Sequence, residues 1–157
     1  MTLFLKRTMV PLVGILATSM LACSSPLSPG ESRELQEAEA RWTARPFQAY
    51  SFEVKVGCFC DPVVNQWSRV EVVNGTVTRV VTIASGNDVS SEHRNFFPTI
   101  ERLFANIRQA SRGDGIEDIE VEFDAALGYP RWIRFVSKPD LLDAGASYEL
   151  RNASALP

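Results

Sequence analysis

Apolar and polar residues alternate most clearly from Tyr50 to Cys60. Tyr50, Phe52, Val54, Val56, Cys58 and Cys60 fall on one side, and Ser51, Glu53, Lys55 and Gly57 on the other. A period of two belongs to an extended chain with one face buried, so a strand is expected here, stopped by Asp61-Pro62. Trp67 to Val73 and Thr76 to Ile83 continue the pattern around Asn74-Gly75. That dipeptide favours a two-residue hairpin turn, because both central positions need positive φ. Such a turn sets Val72 opposite Val77 and Val70 opposite Arg79, which leaves Arg79 as a charge on an apolar face. It is expected to snorkel at the sheet edge. Further along, Ile119, Val121 and Phe123 alternate with Glu120, Glu122 and Asp124 in a fourth strand. Gly128-Tyr129-Pro130 turns the chain into a fifth, with Ile133 and Phe135 inward, and Ser147 to Asn152 forms a sixth through Tyr148 and Leu150.

Two segments follow the helical period instead. From Glu31 to Arg45, Leu35, Ala38 and Trp42 share a face, Glu37 and Arg41 can pair one turn apart, and Pro46 ends the segment. The second helix opens at Pro98 or Thr99. Its stripe is Ile100, Leu103, Phe104, Ile107 and Ala110, and Gly113 and Gly115 end it. Residues 84–95 between them read as a polar loop. The order α-β-β-β-α-β-β-β with short turns predicts an α+β fold: an antiparallel sheet of about six strands with two helices on one face.

The first 22 residues have a different character. Lys6 and Arg7 precede an uncharged run from Met9 to Leu21, too short to span a bilayer comfortably. Leu21, Ala22 and Cys23 resemble a lipobox, in which the cysteine takes a diacylglycerol thioether; Met20 stands where Leu is usual. The expectation is a lipoprotein signal at 1–22, a lipidated Cys23 with a flexible tether over 23–33, and one domain over 34–157. Acyl chains, each worth about 0.8 kcal/mol per buried methylene, would anchor it to a membrane. Ser24 in place of Asp favours the outer membrane, facing the periplasm, in a cell that has one. The chain carries 16 basic and 19 acidic residues, and losing Lys6 and Arg7 with the leader leaves 14 against 19, a charge of −5. An acidic chain with no basic run is a poor partner for nucleic acid. Its 45% apolar content suits a packed domain rather than extended disorder.

Several short motifs occur in a recognisable succession: Tyr50-Ser51-Phe52, Cys58-Phe59-Cys60, Val70-Glu71-Val72 with Asn74-Gly75, Pro98 to Phe104, and Gly128-Tyr129-Pro130. From Trp42 to Leu150 the chain resembles a bacterial domain-of-unknown-function family, numbered 6174. Its members are mostly small exported proteins, many of them lipoproteins. The chain departs from the family at Ser137, where an acidic residue is common. The resemblance implies a location and a fold and brings no established activity.

With Cys23 assigned to lipid, Cys58 and Cys60 form a pair of their own. A disulfide suits an exported chain. In an extended strand, however, the two Cα atoms would lie about 6.5 Å apart, near the upper limit, so the chain must bend at Phe59. A redox pair, a metal site completed by other ligands and plain buried thiols remain open beside the structural disulfide. His93, the sole histidine, is read as solvated, as is the acidic run Glu117, Asp118, Glu120, Glu122 and Asp124. Asp140 and Asp143 suggest turn caps before a weak calcium contact. Trp42, Trp67 and Trp132 read as packing residues, although Trp67 and Trp132 could face outward. No catalytic residue, metal or cofactor is assigned. The expectation is therefore a non-enzymatic, membrane-anchored lipoprotein that binds a protein or envelope ligand; an exposed apolar patch on the sheet face away from the helices would support it. The alternative is a thiol-redox or metal-dependent protein using Cys58 and Cys60.

Overall fold

In a computed structural model of the protein, residues 26–113, 115–139 and 145–157 are described. The leader, Cys23, Asp140 and Asp143 lie outside them. β1 (Tyr50–Gly57), β2 (Ser68–Val73), β3 (Thr76–Thr82), β4 (Ile116–Phe123), β5 (Pro130–Ser137) and β6 (Ser147–Ala155) form one antiparallel sheet in the order β3-β2-β1-β6-β5-β4. Two meanders therefore meet where the first and last strands pair, along Val54–Leu150 and Val56–Tyr148. The helices are α1 (Pro29–Thr43), a short α2 (Ser91–Arg94) inside the expected loop, and α3 (Ile100–Ala110).

The core lies between the sheet and α1 with α3. β1 contributes Tyr50, Phe52, Val54 and Val56, each at most 2% exposed. Full burial of a Val or Phe side chain stabilises the fold by about 1.5–3 kcal/mol. Trp42 from α1 and Ile100, Leu103, Phe104 and Ile107 from α3 close over them. Phe104 stacks on Phe123, ring centroids 6.0 Å apart, which places α3 over the second meander.

The helix termini show why these segments begin where they do. Thr99 caps α3 by accepting a hydrogen bond from Arg102 N. Ser28 caps α1 in a capping box: its hydroxyl accepts from Glu31 N, and its own N–H donates to the Glu31 carboxylate at 2.7 Å. Helix α1 thus starts two residues before the expected Glu31, and Leu27 ahead of it is only 3% exposed. A flexible tether running to Arg33 is not what the described residues form. Glu37 also turns the other way, approaching Arg33 at 3.8 Å rather than Arg41.

The hairpin corrects the reading of Arg79. Asn74 and Gly75 have φ of 51° and 72°, as the turn requires, and Val72 faces Val77. A β-bulge at Thr78 then slips the register, so that Arg79 faces Glu71 and Val70 faces Val80. Arg79 therefore lies on the polar face, ion-paired with Asp88 at 2.8 Å and Glu71 at 3.8 Å. The first strand is also shorter than expected: β1 ends at Gly57, before the two cysteines.

Gly128 is the tightest point between sheet and helix. Its φ is 81°, and a methyl group there would overlap the Ala38 carbonyl oxygen in α1. Gly75, at φ 72°, has open space around it. Gly75→Ala is expected to cost about 1 kcal/mol for the left-handed backbone alone. Gly128→Ala is expected to cost about 3 kcal/mol or more, because the clash adds to that penalty. Urea denaturation measures both, and equal losses would contradict this packing of α1.

Candidate functional site

Two clusters of polar side chains stand out, one on each face of the sheet. On the helix side the Glu101 carboxylate, in the first turn of α3, collects three donors. Its Oε1 accepts from Trp42 Nε1 at 2.9 Å and from Arg45 Nη2 at 2.8 Å, and its Oε2 accepts from the Tyr50 hydroxyl at 2.5 Å. Tyr50 in turn accepts from Ile100 N at 3.2 Å. The Arg45 guanidinium lies 4.1 Å from the Trp42 ring centre and donates to the Trp42 carbonyl oxygen. Beside this cluster is a recess of about 440 Å³ that also takes in Glu39 and Phe104.

The electrostatics of this cluster suit a brace rather than a reactive centre. Burial pushes the Glu101 carboxyl up, but the hydrogen bonds from Tyr50 and Trp42 and the Arg45 charge outweigh it and hold the group below the usual carboxylate range. Burial, with the adjacent carboxylate, drives the Tyr50 phenol far up, so no phenolate forms near neutral pH. Both carboxylate oxygens are occupied by donors, and the phenol is engaged as donor and acceptor.

The opposite face is open. Its middle is organised by Glu53, which is 8% exposed although it sits on the polar side of β1. Glu53 accepts from Arg151 at 2.8 Å, Asn152 at 3.1 Å and Arg69 at 3.3 Å. Burial raises its carboxyl, and these three donors more than reverse the effect, leaving it lowered. Arg151 continues over Trp67, 3.9 Å from the ring centre. Trp132 projects from the same face, opposite Glu122 on one side and Glu149 on the other. Together with Arg131 these residues surround a recess of about 390 Å³. An aromatic wall edged by guanidinium and carboxylate groups can stack a flat ligand surface and bond its polar rim.

The structure unites few of the other residues singled out above. Trp42 is buried core, while Trp67 and Trp132 are half-buried and face outward. Asp118, Glu120 and Glu122 line the open face, where Glu120 meets Arg134 at 3.6 Å; Asp124 instead caps the next turn through Ala126 N and Leu127 N. His93 is not free surface. Its Nδ1 lies 3.0 Å from Ser90 Oγ and its Nε2 3.7 Å from Asp61 Oδ2, tying α2 to the loop after β1. The trio has the residue types of a hydrolase triad, but the Asp61 contact is too long for a hydrogen bond that would orient the ring. Among the described residues, no three His, Cys, Asp or Glu side chains gather as a metal site.

Cys58 and Cys60 are joined by a disulfide, with Cα atoms 5.3 Å apart because the chain bends at Phe59. Asn65 fastens this ring: Oδ1 accepts from Cys58 N and Nδ2 donates to Cys58 O, both at 3.4 Å. Oδ1 also lies 3.4 Å from Cys60 Sγ and 3.6 Å from Cys58 Sγ. The negative end of an amide is a poor neighbour for a thiolate.

The family model for a family of unknown function, DUF6174, matches residues 34–155, nearly all of the described chain. The chain belongs to the DUF6174 family. No curated protein and no solved structure matches it. Within the DUF6174 domain, the motif from Pro98 to Phe104 contains Glu101, and Tyr50 opens the motif on β1. In the sequence Glu101 carries one local signal, an acidic residue just after the Thr99 cap, which helix chemistry alone explains. Glu53 likewise carries only its alternation with Phe52 and Val54, which marks an outward residue.

The lowered Glu101 carboxyl gives a signed expectation. A group whose folded value is depressed contributes stability above its unfolded value and loses that stability as pH falls through the folded value. Glu101→Gln should therefore cost about 2 kcal/mol at neutral pH, leaving Arg45 poorly compensated. The deficit should shrink in acid, where the wild-type carboxyl also protonates. Urea titrations across acid pH check this, and a constant deficit would contradict the assignment.

Proposed function

We propose that the chain is an exported lipoprotein, lipidated at Cys23, that presents its DUF6174 domain as a non-enzymatic binding module. The contact surface is the open sheet face, and the observation that carries this is the recess between Trp67 and Trp132. On the helix side, both oxygens of the Glu101 carboxylate beside the recess there already accept from Trp42, Arg45 and Tyr50. The recess on the open face, by contrast, offers aromatic surface with charged groups at its rim. The ligand is a protein or an envelope component with a flat apolar surface and polar edges. An apolar patch, which would have supported the reading, is absent from this face among the described residues: Glu53, Glu71, Glu120 and their arginine partners occupy it. A polar, ion-paired face remains soluble while its tryptophans supply contact area.

Export rests on the sequence of the leader and on Cys23. Among the described residues no helix is long and apolar enough to cross a membrane. Ser24 favours the outer membrane, facing the periplasm. The alternative, a thiol-redox or metal-dependent protein centred on Cys58 and Cys60, has less support, because Asn65 disfavours a thiolate beside either sulfur.

Two outcomes are expected. Incorporation of a labelled fatty acid should vanish in Cys23→Ser; labelling that survives would contradict the anchor. In crosslinking from intact cells, Trp132→Ala should reduce capture several-fold with the circular dichroism spectrum unchanged. Undiminished capture would contradict the open face as the contact surface.

A further inference from the structure

We infer that the Cys58–Cys60 loop is a second membrane contact, at which Phe59 enters the apolar edge of the bilayer. The inference rests on the lipoprotein reading above. Phe59 is 93% exposed, more than any other large apolar side chain among the described residues. It stands between two cysteines joined to each other, in a loop that Asn65 bonds at the Cys58 N–H and carbonyl. The backbone that presents the side chain is therefore held in place and gives up little freedom on insertion.

Chain geometry brings this loop and the anchor to one end of the domain. Helix α3 starts beside Tyr50, at the beginning of β1, where Ile100 N donates to the Tyr50 hydroxyl. It ends near Ile116, Phe135 and Tyr148, and Tyr148 pairs with Val56 near the end of β1. Helix α1 runs antiparallel to α3, because Glu39 meets Arg108 while Arg45 meets Glu101. The N-terminus of α1 therefore points toward the end of the sheet that carries Cys58 to Cys60. Leu27 is already buried there, and Cys23 is four residues before it. Four residues span at most about 14 Å, so the lipid cannot lie far from this end of the domain.

The chemistry favours a bilayer over a protein as the occupant. A protein interface needs a broad buried patch, about 800 Å² per partner, with anchors packed at its centre. Phe59 is a narrow protrusion, and among the described residues Ile83 (40% exposed) is the other exposed large apolar side chain toward this end, hydrogen-bonded through its N–H to the Trp67 carbonyl. A single aromatic can enter the region between headgroups and acyl chains without a complementary surface. The neighbouring charges, Lys55 and Asp61, are of opposite sign, so the contact is apolar rather than electrostatic.

The test replaces Phe59 with a photoreactive phenylalanine analogue in the full-length protein in its native membrane. Mass spectrometry after irradiation should find phospholipid attached at position 59. The same analogue at Thr76 serves as control, since this exposed residue follows the Asn74-Gly75 turn, at the end of the sheet opposite Gly57. Lipid adduct should be several-fold greater at 59 than at 76. An adduct with protein at 59, no adduct, or equal lipid adducts at both positions would overturn the inference. The N-terminal peptide in the same spectra separates the two proposals. If it carries diacylglycerol and position 59 finds no lipid, only the second contact fails; if it carries none, the lipoprotein reading fails.

Discussion

The Glu101 carboxylate holds the two layers of this domain together. It joins the end of α1 through Trp42, the connection after it through Arg45, and the first strand through Tyr50, while itself belonging to α3. These partners lie 51 to 59 residues away along the chain, so the bonds form only once the layers have assembled. Placement in the first turn of α3 adds the favourable field of the helix N-terminus to the three donors. A half-exposed anion with this many partners positions its neighbours more than it stabilises them in bulk. What it positions is α1, the element that connects the domain to everything before it.

Docking α1 has consequences at both of its ends. At the C-terminal end, Trp42 fits against Tyr50 at 5.0 Å and Tyr129 at 6.2 Å between ring centres, sealing the bottom of the core. Toward the N-terminal end, Leu35 and Leu27 are buried, so the ordered fold extends almost to the proposed lipid site. Helices cover one face of the sheet, and the proposed contact surface is the other. There, ion pairs through Glu53, Glu71 and Glu120 satisfy the charges locally, and the two outward tryptophans remain as contact surface.

Much of this was legible in the chain because it depends on local rules. The period of two located all six strands, the 3.6-residue stripe located both long helices, and Asn74-Gly75 set the hairpin. The disagreements come from contacts between distant residues or from small departures from regularity. A single extra residue at Thr78 turned Arg79 from an apparent misfit on the apolar face into a partner for Glu71, and alternation alone cannot locate a bulge. Glu53 looked exposed because its neighbours alternate, yet Arg151 and Asn152, 98 and 99 residues away, cover it. Glu101 read as an ordinary first-turn acid. The first strand stops at Gly57 because the ring formed by Cys58 and Cys60 bends the chain, which cannot then continue in the extended form that alternation suggested. The open face kept its polar pattern, but which of its residues would surround a recess depended on strand order, and β1 pairing with β6 follows from no local signal.

On the proposal that Cys23 carries lipid, these features would hold the domain close to a membrane. The capping box at Ser28 and the buried Leu27 start the folded domain within a few residues of Cys23, and the Glu101 brace keeps α1 from peeling away. Neutron reflectometry of the lipidated protein on a supported bilayer tests this most directly. A protein layer that begins at the headgroups, with no intervening layer of water, is expected. A hydrated gap between bilayer and domain wider than the about 14 Å that four residues can span would contradict it.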